Sequence, residues 1–134
     1  MYLNTVSFYV TLLYKSFYAF TSDELKQDGV NFGLLFFIAY IGKHPGCTPS
    51  SLTKDLGMDW GHSQRSIQRL EEQGLMTKEK HGRCYALHLT EHGTHVFEKV
   101  HQVFYDWDDT VLKNLNQDEK QQFMGLLQKI SSEM

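Results

Sequence analysis

Gly61, His62, Gln64, Arg65 and Gln68 fall within two turns of one predicted helix. Their side chains suit the reading of base edges. A guanidinium pairs in bidentate fashion with guanine O6 and N7, and a carboxamide pairs with adenine N6 and N7. Glycine beside them admits a close backbone approach. With Ile67 and Leu70 set inward at 100° per residue, Gly61, Arg65, Gln68 and Glu72 point outward. His62 and Arg69 then flank them on one side and Gln64 on the other. Arg69 lies further along and suits a phosphate, as do Ser50, Ser51 and Lys54 before it and Lys78, Lys80 and Arg83 after it. The competing account of Arg65 and Arg69 is a solvated helix face paired with Glu71 and Glu72. Other chemistry is poorly served. There are seven histidines, with His88, His92 and His95 close together, but no carboxylate or thiol completes a ligand set at a recognised spacing, so no metal is expected. Cys47 and Cys84 make no disulfide framework and carry no pattern that favours a thiolate. With no nucleophile elbow, phosphate loop or paired-carboxylate motif, the chain is expected to be no enzyme and to need no cofactor.

The elements that must hold these groups read as a helix-turn-helix over about 48–73. Thr48 is the N-cap and Pro49 the first helical residue, where its missing N–H costs nothing. Leu52 and Leu56 make one apolar face, Gly57 stops the first helix, Asp59 caps the second, and Gly74 ends it. Residues 75–79 and 84–90 alternate as strands, with Tyr85, Leu87 and Leu89 on one face and Cys84, Ala86 and His88 on the other. Lys80-His81-Gly82-Arg83 is the expected hairpin tip. The unit is thus a winged helix.

Helices flank it on both sides. Leu3, Val6, Val10, Leu13, Phe17 and Phe20 are spaced 3, 4, 3, 4, 3, a heptad seam that demands a continuous partner face. So small a domain has little room to cover it, and a homodimer is expected. Residues 21–29 are polar, with Thr21, Ser22 and Asp23 as cap candidates. Residues 31–42 read as a buried helix and 91–115 as a long helix with Val96, Val100, Val103, Trp107 and Val111 on one stripe. Asn116 and Glu119 frame a capping box for a last helix whose buried stripe is Phe123, Leu126, Leu127 and Ile130. Tyr9, Tyr14, Phe32, Phe36 and Tyr40 form a candidate cleft for a small aromatic effector, with aromatic core packing as the competing account. The fold class is mainly α with a small β-wing. One domain spans 1–134, in which 48–90 is the helix-turn-helix with its wing, and 1–42 and 91–134 are dimerisation helices.

The net charge of −3 over 134 residues argues by itself against nucleic acid. Its distribution argues the other way. Residues 43–90 hold seven Lys/Arg against five Asp/Glu, and the remainder holds six against eleven. A DNA-facing surface therefore belongs in the middle of the chain. The apolar start lacks a basic leader and carries Asn4, Thr5, Ser7 and Lys15, which fits neither a signal peptide nor a membrane span; a cytoplasmic protein is expected.

Arg65, Arg69-Leu70-Glu71-Glu72-Gln73-Gly74-Leu75, Leu89-Thr90-Glu91-His92-Gly93 and the approach from His44-Pro45-Gly46 to Leu56-Gly57 together resemble the MarR family of winged-helix regulators. The resemblance spans essentially the whole chain. It implies a homodimer interlocked through its terminal helices, binding to a pseudo-palindromic operator in double-stranded DNA, and release by a small ligand or by oxidation. The chain departs from the family pattern in a shorter wing without the usual Asp-x-Arg, in Ser63 where an apolar residue is common, and in Trp60 and His62 at the start of the recognition helix. The alternative function is a protein-interaction module on the same fold that has lost DNA binding.

Overall fold

A computed structural model describes residues 3–134. In chain order it has α1 (Val6–Leu25), two short 3-10 turns (Lys26–Asp28 and Phe32–Leu34), α2 (Leu35–Lys43), α3 (Pro49–Asp55), α4 (Trp60–Glu72), the strands β1 (Met76–His81) and β2 (Cys84–Leu89), α5 (Glu91–Val111) and α6 (Gln117–Ser131). The chain divides into two compact units, the first running to Val103 and the second spanning Phe104–Met134.

In the first unit the core is built around α2, where Phe37, Ile38 and Ile41 are fully buried. Leu25, Leu52, Ile67, Leu70, Leu75, Leu87, Val96 and Val100 are among the residues buried with it. α1 runs five residues past the expected end at residue 20. Thr21 does not cap it. Its hydroxyl donates to the Phe17 carbonyl at 2.8 Å inside the helix, and buried Leu25 draws the last turn onto the core. Among the described residues the heptad seam is covered only in its second half. Leu3, Val6 and Val10 are exposed, Val6 at 77%, and Leu13, Phe17 and Phe20 are half-buried.

β1 and β2 pair antiparallel from Met76 opposite Leu89 to His81 opposite Cys84. The tip is therefore tighter than expected. Lys80 and His81 belong to the strand, Gly82-Arg83 makes the turn, and Gly82 takes the positive φ of 63°.

The return from wing to α5 explains the Leu-Thr-Glu-x-Gly phrase. Thr90 Oγ1 donates to the Gly74 carbonyl at 2.7 Å and accepts the Gly93 N–H at 3.0 Å. A Cβ on Gly93 would stand 1.9 Å from the Leu75 carbonyl oxygen, so only glycine lets α5 start this close to the strand. The Phe97 ring lies in the space that a side chain at Gly42 would take.

In the second unit, α6 opens on the expected capping box. Asn116 Oδ1 accepts the Glu119 N–H and Glu119 Oε1 accepts the Asn116 N–H, both at 2.9 Å. The stripe read as buried is not. Phe123 is half-buried, and Leu126, Leu127 and Ile130 are exposed, Ile130 at 58%. The spacing is amphipathic as read, and the stripe is left open within this unit.

Candidate nucleic-acid interface

The helix-turn-helix is held by local chemistry at every junction. Thr48 Oγ1 accepts the Ser51 N–H at 3.0 Å, and Ser51 Oγ accepts the Thr48 N–H at 3.2 Å, which closes a capping box. Ser51, read as a phosphate contact, thus has its hydroxyl engaged in the cap, whereas Ser50 and Lys54 are exposed. α3 ends in a Schellman motif, with the Met58 N–H on the Thr53 carbonyl and the Gly57 N–H on the Lys54 carbonyl, each at 3.1 Å. α4 repeats it. The Leu75 N–H bonds the Leu70 carbonyl and the Gly74 N–H the Glu71 carbonyl, each at 3.0 Å. Gly57 and Gly74 supply the left-handed residue in each case. At the start of α4, Asp59 Oδ1 accepts the His62 N–H at 2.9 Å.

The inward face of α4 consists of Ser63, Ser66, Ile67 and Leu70. Ser63 is fully buried, and its hydroxyl lies 2.6 Å from Thr53 Oγ1. Thr53 spends its single proton on the Pro49 carbonyl at 2.6 Å, so Ser63 is the donor in the pair. This buried bond ties α3 to α4 where an apolar contact would ordinarily lie. Residue type alone hid it, although the helical spacing from Ile67 points Ser63 inward.

The outward face agrees with the spacing argument. Gly61, Arg65, Gln68, Arg69 and Glu72 are exposed, and His62 and Gln64 are half-buried. His62 stands edge-on to the Phe37 ring, with centroids 5.9 Å apart. Gln68 Nε2 donates to Glu72 Oε1 at 3.1 Å. Arg65 folds back along the helix until its Nη1 comes within 3.3 Å of the point a Gly61 Cβ would occupy. Gly61 therefore makes room for the guanidinium as well as baring the backbone. Neither arginine is tied to the glutamates beside it. Glu72 holds Gln68, and Glu71 faces Lys78 at 3.9 Å. Among the described residues Arg65 and Arg69 form no ion pair.

On the wing, Lys78 reaches back to Glu71 and also sits 5.3 Å from the centroid of the Tyr85 ring. Lys80 shares that face, opposite Tyr85. Lys80 and Arg83 are exposed and make no ion pair among the described residues. Glu79 lies on the other face, 3.5 Å from His81 and 4.0 Å from His88.

Of the aromatic residues read as an effector cleft, Tyr14, Phe32 and Phe36 join one cluster through Phe17, and Tyr9 and Tyr40 have other ring partners. Tyr40 donates to Asp55 Oδ2 at 2.6 Å and stacks on His44 at 4.3 Å. That hydrogen bond is the main reason its phenol is held above the ordinary value. Tyr9 packs on Phe8, Phe36 on Phe17, and Tyr14 on Phe32. A cavity of about 650 Å³ instead opens against α4, with Tyr18 and Phe32 among its aromatic lining and Arg65, Arg69, His62 and Gln68 among its polar lining. Of the residues read as the cleft, only Phe32 lines it. Tyr18 was not among them, although it lies one helical turn from Tyr14. Burial raises the Cys47 thiol above its ordinary value, and Cys84 is exposed. Among the described residues, no group of three or more His, Cys, Asp or Glu could hold a metal, and no helix is long and apolar enough to cross a membrane.

No protein-family model matches the chain. It is 39% identical over 129 residues to the HTH-type transcriptional regulator BilQ of Clostridium symbiosum (strain WAL-14163), covering 94% of this chain and 90% of that protein. Its fold is similar to that of a MarR protein from Peptoclostridium difficile, with a TM-score of 0.90 at 23% identity over 98% of this chain and 89% of that one. It is also similar to MepR of S. aureus in complex with DNA, with a TM-score of 0.88 at 19% identity over 97% of this chain and 98% of that one. These relatives are transcriptional regulators and not enzymes. Capped helices, a buried hydroxyl pair, a bared recognition face and these likenesses agree: the chain belongs to the MarR family of winged-helix regulators and is a DNA-binding transcriptional regulator.

Proposed function

We propose that the protein is a homodimeric repressor that reads a pseudo-palindromic operator and leaves it when a small aromatic anion binds. The observation that carries the reading is the pair Arg65 and Arg69, exposed and without ion pairs among the described residues, on a helix fixed at both ends and along its buried face. In this reading residues 48–90 hold the DNA, with Gly61, His62, Gln64, Arg65 and Gln68 toward base edges. Ser50, Lys54, Arg69, Lys80 and Arg83 take phosphates. Residues 1–42 and 91–134 hold the dimer, for which the uncovered apolar residues of α1 and α6 speak. The cavity beside α4 supports the release step. Its Tyr18 and Phe32 rings suit an aromatic body, and its Arg65 and Arg69 suit a carboxylate. A ligand seated there engages the same arginines that DNA needs.

The test is recovery of bound fragments from sheared genomic DNA, followed by competition with benzoate and hydroxylated benzoates. Enrichment of one inverted-repeat site, released by an aromatic carboxylate, is expected. Enrichment of no sequence favours an interaction module that has lost DNA binding. Enrichment without release by any aromatic carboxylate leaves the operator reading standing and overturns the effector class.

A further inference from the structure

The first residue of α4 is an exposed tryptophan that is not part of the buried face. Trp60 is 55% exposed, and among the described residues its ring meets no other ring and its indole N–H has no hydrogen bond. Asp59 already caps the helix, and the buried face runs through Ser63, Ser66, Ile67 and Leu70. By helical angle Trp60 lies about 20° from Ile67 and about 40° from Gln64, so its exposure comes from its place in the opening turn, ahead of the buried face and next to the bare backbone of Gly61. The opening turn of a recognition helix is the part that reaches base edges.

We propose that Trp60 is a specificity-determining DNA contact, its indole packed on the C5-methyl group of a thymine in the major groove. Two properties of the indole favour thymine over cytosine at that position. It offers a broad apolar face, and the thymine methyl is the one apolar group a base pair presents there. Its N–H is a donor only, which suits thymine O4 and opposes the cytosine N4 amino group. The inference rests on the reading of α4 as the helix that enters the major groove.

The test starts from selection of duplexes from a random pool by the wild type, Trp60→Ala and Trp60→Phe. Each thymine of the selected site is then replaced by deoxyuridine, which removes only the methyl group. At one symmetric thymine this should weaken wild-type binding about fourfold per substituted base pair, the worth of burying one methyl group. Trp60→Ala should be indifferent to that replacement, and Trp60→Phe should keep part of the preference. A second readout uses Trp107→Phe, which leaves Trp60 as the only tryptophan of the two in the chain. The selected duplex should protect its fluorescence from acrylamide quenching, and a scrambled duplex should protect it less. A Trp60→Ala protein that selects the wild-type sequence, or that shares the wild type's response to deoxyuridine at every position, overturns the assignment of Trp60 alone. A wild type that enriches no sequence overturns the reading of α4 itself, and the proposal with it.

Discussion

Arg65 and Arg83 carry the same charge, and the proposed reading gives them different tasks. Arg65 is rooted in a capped helix with its guanidinium laid over Gly61, whereas Arg83 sits in the two-residue turn of the wing. Arg65→Ala should cost about 1–3 kcal/mol per half-site on the operator and relax preference at one symmetric base pair. Arg83→Ala should weaken all sequences alike and lower the salt slope by about one unit per half-site. Salt titrations of both variants on operator and scrambled DNA separate them, and an equal loss on both duplexes for Arg65→Ala would move that residue to the phosphates. The Thr53–Ser63 pair makes a different kind of claim. Thr53→Val strands the buried Ser63 hydroxyl and should cost about 1–3 kcal/mol in urea unfolding. Adding Ser63→Ala should recover part of that loss, since no donor is then left unmet. If the double variant is less stable than Thr53→Val, the pair is not what joins the two helices. The outward set on α4 was legible because one helical angle, anchored on Ile67 and Leu70, decides it. Ser63 and Thr53 were not, because a hydroxyl at a core position finds its meaning only in a partner ten residues away.

The elements meet at glycines and caps, and there the sequence carried most of the architecture. Thr48 with Pro49, Gly57, Asp59, Gly74 and Asn116 with Glu119 each stand where the backbone requires them. Not every boundary was legible: α5 stops at Val111 and not at 115, α2 starts at Leu35 after a 3-10 turn and not at 31, and two further departures have a plain cause. α1 continues through Thr21 because the threonine hydroxyl satisfies itself on the preceding turn and Leu25 is buried, neither of which a polar run from 21 to 29 reveals. The hairpin tip shrank to two residues because cross-strand pairing extends to His81. The return from wing to α5 is the junction most sensitive to substitution. Gly93→Ala drives a methyl group into the Leu75 carbonyl and should cost at least about 1–3 kcal/mol. Thr90→Ala removes the cap and should cost about 1 kcal/mol, while Thr90→Ser keeps the hydroxyl and most of the stability. Denaturant midpoints of the three variants check this, and a Gly93→Ala protein as stable as the wild type would mean that the close approach is not required.

For the whole molecule, what matters is where the apolar surface lies. The heptad spacing from Leu3 to Phe20 and the stripe from Phe123 to Ile130 were both legible as faces in need of cover. What covers them was not, because periodicity reports that a side is apolar and says nothing about which molecule buries it. Val6 and Val10 on α1 are exposed, and so are Leu126 and Ile130 on α6. The proposed homodimer would cover them, and substitution can distinguish it from a core that merely packs loosely. Val10 is 55% exposed within the chain, so a charge there costs little in a monomer. In a dimer seam the same charge is buried without a partner and costs several kcal/mol. Val10→Asp should therefore yield a folded monomer with its far-ultraviolet spectrum intact. Its operator affinity should fall toward that of one half-site, since two recognition helices set about 10 base pairs apart no longer bind together. Leu25→Asp, at a residue buried within the chain itself, should unfold the protein instead. Sedimentation of wild type and Val10→Asp at micromolar concentration checks the difference. A wild type that sediments as a stable monomer, or a Val10→Asp variant that remains a dimer, removes α1 from the interface.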